Sequence, residues 1–84
     1  MDLAPTTLDR IARGKRATIT RVHWEDLAPE EAKRLRALGL DVGARVAVAH
    51  RGVFGTSDPI ALMVGRMTIA VRKVHASAME VDPS

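Results

Sequence analysis

Three histidines are the side chains of this sequence that could most readily hold a metal ion. His23 is followed closely by the acidic residues of "HWED", which include Glu25, whereas His50 and His75 stand alone. Imidazole and carboxylate groups together suit Fe²⁺ or Zn²⁺. The histidines are far apart in sequence and none forms an i,i+4 pair, so only the tertiary fold could bring two together. We therefore expect surface or half-buried histidines, no resident cofactor, and only adventitious binding of a divalent metal.

The sequence carries none of the common catalytic motifs. It has no cysteine, which excludes a thiolate nucleophile, a thiolate metal site and a disulfide. It has no Gly-x-Ser-x-Gly and no His-Glu-x-x-His. The Gly-rich segment "GVFGTSDP" lacks the Gly-Lys-Ser/Thr ending of a phosphate-binding loop. We therefore expect a protein that is not an enzyme.

The basic net charge raises the alternative of nucleic-acid binding. Thirteen lysines and arginines outnumber ten acids, for a net charge of +3. Acids are interspersed throughout, however, and Trp24 and Phe54 are the only aromatics, so a base-stacking platform is nearly absent. A small basic barrel that binds nucleic acid is therefore the runner-up, and an aromatic-lined peptide groove ranks last. A basic strip along the strands would contain Arg45, Arg51, Arg66, Arg72 and Lys73.

Two aromatic residues are candidates for contact with a partner protein. Phe54 lies beside Val53 in the Gly-rich loop, where it would either anchor a partner or fold over one end of the domain. Trp24 would either dock on a partner or hold the helix against the sheet. The candidate partner-binding residues are Trp24, Arg34, Arg51, Val53, Phe54 and Arg72.

The segment "APEEAKRLRALG" predicts one short amphipathic helix. Pro29 suits the first helical position, and acids precede bases along the segment, as the helix dipole favours. Glu30 and Arg34 have the spacing of an i,i+4 ion pair. Ala32, Leu35 and Leu38 form a narrow apolar stripe, so the helix should lie on the surface of the domain.

The segment "LGLDVG" after this helix predicts a rigid helix stop. Gly39 can adopt the left-handed conformation, and Leu40 would then contact Leu35. We expect Val42 to be buried against the same cluster and Gly43 to release the chain into the next strand. The predicted structural residues are Leu35, Leu38, Gly39, Leu40, Val42 and Gly43.

The rest of the sequence is dominated by strand patterns. "KRATITRV" has imperfect alternation, which predicts a bulge near Thr20 and Arg21. "RVAVAHR", "PIALMV" and "MTIAVRK" alternate, Gly65-Arg66 fits a type II′ hairpin, and a turn at 75–78 should precede a closing strand. These elements predict a mainly β fold, an SH3-like β-barrel of about five short antiparallel strands. One short helix is inserted after the first long strand, and residues 1–84 form a single domain.

The order of these segments resembles the ferrous iron transport protein A (FeoA) family. The resemblance rests on "LDRIARGKRATITRV", "RLRALGLDVGARVAV" and "FGTSDPIALMVGRMTIAVRK", and covers roughly residues 7 to 81. The chain departs from the family pattern at Ala17, where a glycine is usual, and at Thr56 and Ser57, which separate the loop glycine from Asp-Pro.

The resemblance implies a small cytoplasmic accessory protein of bacterial ferrous iron uptake. Its implied partner is the membrane ferrous iron transporter with its cytosolic GTPase domain, which would recruit it to the inner face of the membrane. No signal peptide is visible, and "PIALMVG" is too short to span a bilayer, so we expect no membrane insertion of its own. Self-association through an uncovered strand edge would produce a homo-oligomer.

Overall fold

The computed structural model describes residues 6–51 and 58–83, with only the backbone at 50 and 51. Short 3₁₀ turns at Leu8–Arg10 and Trp24–Asp26 connect some of the elements. The elements are β1 (Thr6–Thr7), β2 (Arg16–Val22), α1 (Pro29–Ala37), β3 (Arg45–Arg51), β4 (Ile60–Val64), β5 (Met67–Val71), α2 (Lys73–Ala76) and β6 (Met79–Pro83). Among the described residues, short helices separate the strands at the two ends of the chain, and β3, β4 and β5 follow one another without a helix between them.

The strands form one antiparallel sheet in the order β1-β6-β2-β3-β4-β5. The mainly β fold and the insertion of α1 after the first long strand, β2, are confirmed. Two elements were not predicted. The first is β1, which is only two residues long and forms because Thr6 pairs with Val81. The second is α2, a helical turn that begins at Lys73, before the turn expected at 75–78. The single domain over residues 1–84 stays a prediction.

A bulge in β2 places its apolar residues on the core side. The pairing of β2 with β6 shifts between Ile19 and Arg21, and the Thr20 hydroxyl donates to the carbonyl of Glu80 at 3.2 Å. The extra residue changes the alternation, so Val22 is buried along with Ala17 and Ile19. The predicted bulge is confirmed.

The core lies on the inner face of the sheet, where α1 and the 3₁₀ turn at Leu8–Arg10 also contribute side chains. The alternation predicted for β4 is confirmed by the burial of Ile60 and Leu62, and that predicted for β3 is confirmed at Val46 and Val48. Beyond Val48 the prediction for β3 is wrong, because the pairing of β3 with β4 shifts between Val48 and His50, at an irregularity that the sequence pattern did not predict. The other fully buried large side chains are Leu8, Ile19, Leu35, Leu40, Val71 and Met79.

The helix stop forms as predicted at Gly39 and Leu40 but not at Val42. Gly39 has φ +96°, its N–H donates to the Arg36 carbonyl at 3.0 Å, and Leu40 is completely buried. Val42, by contrast, is 61% exposed, so its predicted burial is wrong. Val42 lies in the turn that carries the chain away from the core, between Asp41, which accepts its N–H, and Gly43, with φ +92°.

Two further local predictions concern α1 and the β4–β5 turn. Arg34 is paired with Glu31 at i,i+3 and not with Glu30 as predicted, because the guanidinium reaches the carboxylate that faces α2.

Gly65 has φ +62°, whereas Arg66 does not have a positive φ, which fits the type II′ turn and excludes type I′.

Candidate functional site

His23 lies at the end of β2 between two carboxylates. Its Nε2 is 2.5 Å from Glu80 Oε2, and its Nδ1 is 3.9 Å from Glu25 Oε2. Glu80 is on β6, 57 residues away, and no sequence signal connects it with His23. The bulge in β2 decides this pairing, because it sets Arg21 opposite Glu80. His23 lies two residues beyond Arg21, so it is a diagonal neighbour of Glu80.

The structure places His75 against a different carboxylate. Its Nδ1 is buried without a hydrogen bond and lies 3.8 Å from Glu31 Oε1, beyond hydrogen-bonding range. Within residues 6–51 and 58–83, no group of three or more potential ligands has the geometry to hold a metal ion. The side chain of His50 lies outside the described residues.

Arg34, a predicted docking residue, is engaged within α1. Its Nε and Nη2 donate to Glu31 Oε1 at 2.8 and 2.6 Å. This hydrogen bonding is the main reason that the pKa of Glu31 is lowered, although burial opposes the shift, and His75 adds a smaller lowering effect. The guanidinium of Arg34 could still reach a partner, but only in competition with Glu31.

Trp24 packs against the hydrophobic core and is covered from outside by Arg36. The guanidinium carbon of Arg36 lies 4.2 Å from the centroid of the ring. This is a cation–π contact between the 3₁₀ turn after β2 and the last turn of α1. Trp24 therefore holds the helix in place, and the exposed group at this position is Arg36, which was not among the candidate residues.

Arg72, another predicted docking residue, is bound to Asp58. Its Nε lies 3.2 Å from Asp58 Oδ1, its Nη2 lies 3.2 Å from Oδ2, and the Lys73 N–H donates to Oδ1 at 2.9 Å. These contacts, the Lys73 N–H first and Arg72 next, lower the pKa of Asp58. They hold the segment entering β4 against the start of α2. The side chain of Arg51 and the loop residues Val53 and Phe54 lie outside the described residues.

The outer face of β2, β3 and β4 contains an open depression of about 320 Å³. Cross-strand pairing sets Arg16 opposite Ala47 and Ala47 opposite Met63. Arg45 belongs to the predicted basic strip, whereas Arg16 and Met63 were not among the predicted contact residues. Their outward phase could have been read from their buried neighbours Ala17 and Leu62. The depression, called the sheet groove below, is lined by Arg16, Arg45, Val46, Ala47, Met63 and Gly65.

These sites offer recognition groups of two kinds. Arg34 on α1 and Arg72 beside Asp58 are already paired, whereas the sheet groove combines basic side chains with apolar surface. None of the helices found in residues 6–51 and 58–83 has the length and apolar character needed to cross a membrane.

The antiparallel sheet, with one helix inserted between its first two long strands, defines a small SH3-like domain. A family model described as the FeoA domain matches residues 6–83, nearly the whole chain. The chain therefore belongs to the FeoA family, whose members are small proteins related to ferrous iron transport.

Solved structures of FeoA proteins agree with this assignment. The chain is 30% identical to Stenotrophomonas maltophilia FeoA, described as a zinc-complexed SH3 domain protein, with a TM-score of 0.73 and coverage of 92% of this chain and 89% of that one. Chlorobium tepidum FeoA is 28% identical, with a TM-score of 0.79 and coverage of 93% and 70%.

Iron(II) transport protein A from Clostridium thermocellum is 26% identical, with a TM-score of 0.78 and coverage of 93% of this chain. The chain spans only 45% of the length of that protein. Among curated proteins, no relative matches the chain.

Proposed function

We propose that the protein is a non-enzymatic adaptor of ferrous iron uptake, which docks on the cytosolic GTPase domain of the membrane ferrous iron transporter. The match of the FeoA model to residues 6–83 is the observation that carries this proposal. The S. maltophilia relative, described as a candidate ferrous iron transport activating factor, supports it. The protein would work in the cytoplasm, at the inner face of the membrane to which its partner recruits it.

The proposed mechanism is differential affinity for the states of the transporter. An adaptor can shift a conformational equilibrium only by binding one state more tightly than another. A small rigid domain suits this role, because little conformational entropy is lost when it docks. The helix stop at Gly39 and the contact of Trp24 with the core both fix α1 on the sheet.

Capture of the purified GTPase domain by the immobilised protein tests the proposal. The capture is measured without nucleotide, with GDP and with a non-hydrolysable GTP analogue. We expect saturable binding that differs between nucleotide states. No binding in any state, with both proteins at tens of micromolar (about −6 kcal/mol of binding free energy), would overturn the proposal.

Three exposed arginines allow a controlled comparison in the same experiment. Arg34→Ala and Arg72→Ala alter predicted docking residues, whereas Arg13→Ala changes an exposed arginine in the segment before β2. We expect weaker capture by at least one of the first two variants and unchanged capture by the third.

We also propose that the protein works without a resident cofactor and that metal bound at His23 is adventitious. The contact of His23 with Glu80 supports this, because a metal would have to displace the existing pairing. Anaerobic calorimetric titration with Fe²⁺, and separately with Zn²⁺, should give weak heats without defined stoichiometry. A tight isotherm with one site per chain, lost in His23→Gln, would contradict the proposal.

A further inference from the structure

The sheet groove is built from residues that cross-strand pairing brings to the outer face. Ala17 and Val46 point into the core, so their neighbours Arg16 and Ala47 point outward. Thr18 pairs with Arg45, which makes Arg16 and Arg45 diagonal neighbours on adjacent strands. Such neighbours are about 7–8 Å apart, close enough for both guanidiniums to contact one ligand.

Neither arginine of the groove has an acidic partner in the described part of the chain. In that part of the chain, the arginines that form ion pairs are Arg34, with Glu31, and Arg72, with Asp58. Arg16 and Arg45 form none there. No aspartate or glutamate lines the groove. Asp82 of β6 lies opposite Thr18 and therefore diagonal to Arg16, but it forms no ion pair with Arg16 within the described residues. Two adjacent guanidiniums that are not ion-paired form a site that complements a carboxylate, which guanidinium groups can bind in a bidentate manner.

The floor of the groove is apolar and partly open. Met63 is 43% exposed there, and the small residues Ala47 and Gly65 leave space beside it. An exposed methionine is an adaptable contact for an apolar side chain of a ligand. The groove therefore offers charge and apolar surface side by side.

We propose that the sheet groove binds an extended acidic segment of a partner protein. A carboxylate of the segment lies between Arg16 and Arg45, and a neighbouring apolar side chain packs on Ala47 and Met63. The inference goes beyond the proposed function, because it concerns the ligand chemistry of one groove and not the identity of the protein that presents the segment.

The lining of the groove favours such a segment over nucleic acid. Single-stranded nucleic acid is held by aromatic stacking as well as by charge, and no aromatic side chain lines the groove. A phosphate backbone offers no apolar group that could pack against an exposed methionine. It does complement the aliphatic residues that alternate with acids in an extended protein segment.

Fluorescence anisotropy with a designed peptide tests the proposal. The labelled peptide repeats glutamate, serine, leucine and serine, so that an extended chain presents glutamate and leucine on one face. One control peptide has lysine for glutamate, and a second has serine for leucine. A labelled single-stranded oligonucleotide provides the nucleic-acid arm at the same salt concentration.

Charge-reversal variants locate the binding. We expect Arg16→Glu and Arg45→Glu each to weaken binding of the acidic peptide by about tenfold or more. Arg13→Glu makes the same charge change at an exposed position before β2 and outside the groove, and it should have little effect. Met63→Ser should weaken binding several-fold, whereas Met67→Ser, which changes another exposed methionine outside the groove, should not.

Backbone amide resonances of the unmodified protein give a readout that does not depend on any variant. Saturable shifts centred on Arg16, Arg45, Ala47 and Met63 support the proposal. Shifts confined to other residues, equal binding of the lysine peptide, or no saturation by the acidic peptide up to about 1 mM would overturn it. Tighter binding of the oligonucleotide to the same amides would also overturn it and assign the groove to phosphate.

Discussion

Leu35 and Leu40 are joined by a backbone hydrogen bond of 2.9 Å, from the N–H of Leu40 to the carbonyl of Leu35, and both side chains are completely buried. Leu38 and Gly39 lie between the end of α1 and Leu40, and Gly39 is in the left-handed conformation. This pair therefore ends α1 and attaches it to the core at the same point. The attachment gives the domain a fixed helix, on which any docking surface of α1 depends.

Gly39→Val should destabilise the protein by about 1–2 kcal/mol, because a side chain at φ +96° is strained. A Cβ at this position would lie 3.5 Å from Val64 Cγ1, an ordinary van der Waals contact, so the expected cost comes from the backbone conformation. Urea unfolding measures the effect. Ala37→Val adds the same side chain within the helix and should cost about 0.6 kcal/mol, so equal losses for the two variants would refute the argument.

Leu40→Ala and Val42→Ala should have very different effects on stability. Leu40 is completely buried, so its truncation leaves a cavity and should cost about 2–4 kcal/mol. Val42 is 61% exposed, so its truncation should change stability by no more than about 0.5 kcal/mol. The free energy of unfolding of both variants checks this, and a large loss for Val42→Ala would show that the residue is buried after all.

Asp58 should contribute to stability at neutral pH but not in strong acid. Its pKa is lowered, first by the N–H of Lys73 and then by Arg72. Because the folded state binds this proton less readily than the unfolded state, the contribution is present above about pH 4. It is lost as the pH falls through the lowered pKa.

Urea midpoints measured from neutral to acidic pH test this dependence. We expect Asp58→Asn to lower the urea midpoint at neutral pH and to reduce the decrease of the midpoint in acid. The decrease that remains in this variant comes from Glu31, whose pKa is also lowered. Asp26→Asn removes another exposed carboxylate and serves as the control. An Asp58→Asn curve parallel to that of the unmodified protein would contradict the prediction.

The contact of Arg36 with Trp24 can be followed by fluorescence, because Trp24 is the single tryptophan of the chain. Arg36→Gln should shift the emission of Trp24 and cost about 0.5–1 kcal/mol, since the ring loses its cationic cover. Lys33→Gln removes an exposed charge from the same helix and should leave the emission unchanged. The same spectrum for all three proteins would exclude the contact in solution.

Local patterns were enough to predict most of the fold. The alternation of β3 and β4, the amphipathic α1 and the glycine at its end each depend on residues close in sequence. The bulge at Thr20 was visible for the same reason, because Ala17 and Ile19 are out of phase with Val22. Val42 was misjudged because hydrophobicity alone does not say which side of a turn faces the core.

Partner choices among charged side chains could not be predicted in this way. Arg34 has an acid at each of two helical spacings, Glu30 at i,i+4 and Glu31 at i,i+3. It pairs with Glu31, the carboxylate that also lies near His75 of α2. The pairs Asp58–Arg72 and His23–Glu80 join distant parts of the sequence. Such pairs are decided by strand register, which a single bulge changes.

The sequence by itself determined the longer strands, α1, their order and the family, because periodicity, helix-stop chemistry and motif order are properties of neighbouring residues. Only the tertiary structure decided which arginines are neutralised and which remain open. Arg34 and Arg72 looked available but are paired, whereas Arg16 and Arg45 meet beside Met63 because the registers of β2, β3 and β4 align them. Electrostatic availability depends on distance in space, and sequence spacing does not specify that distance for residues on different strands.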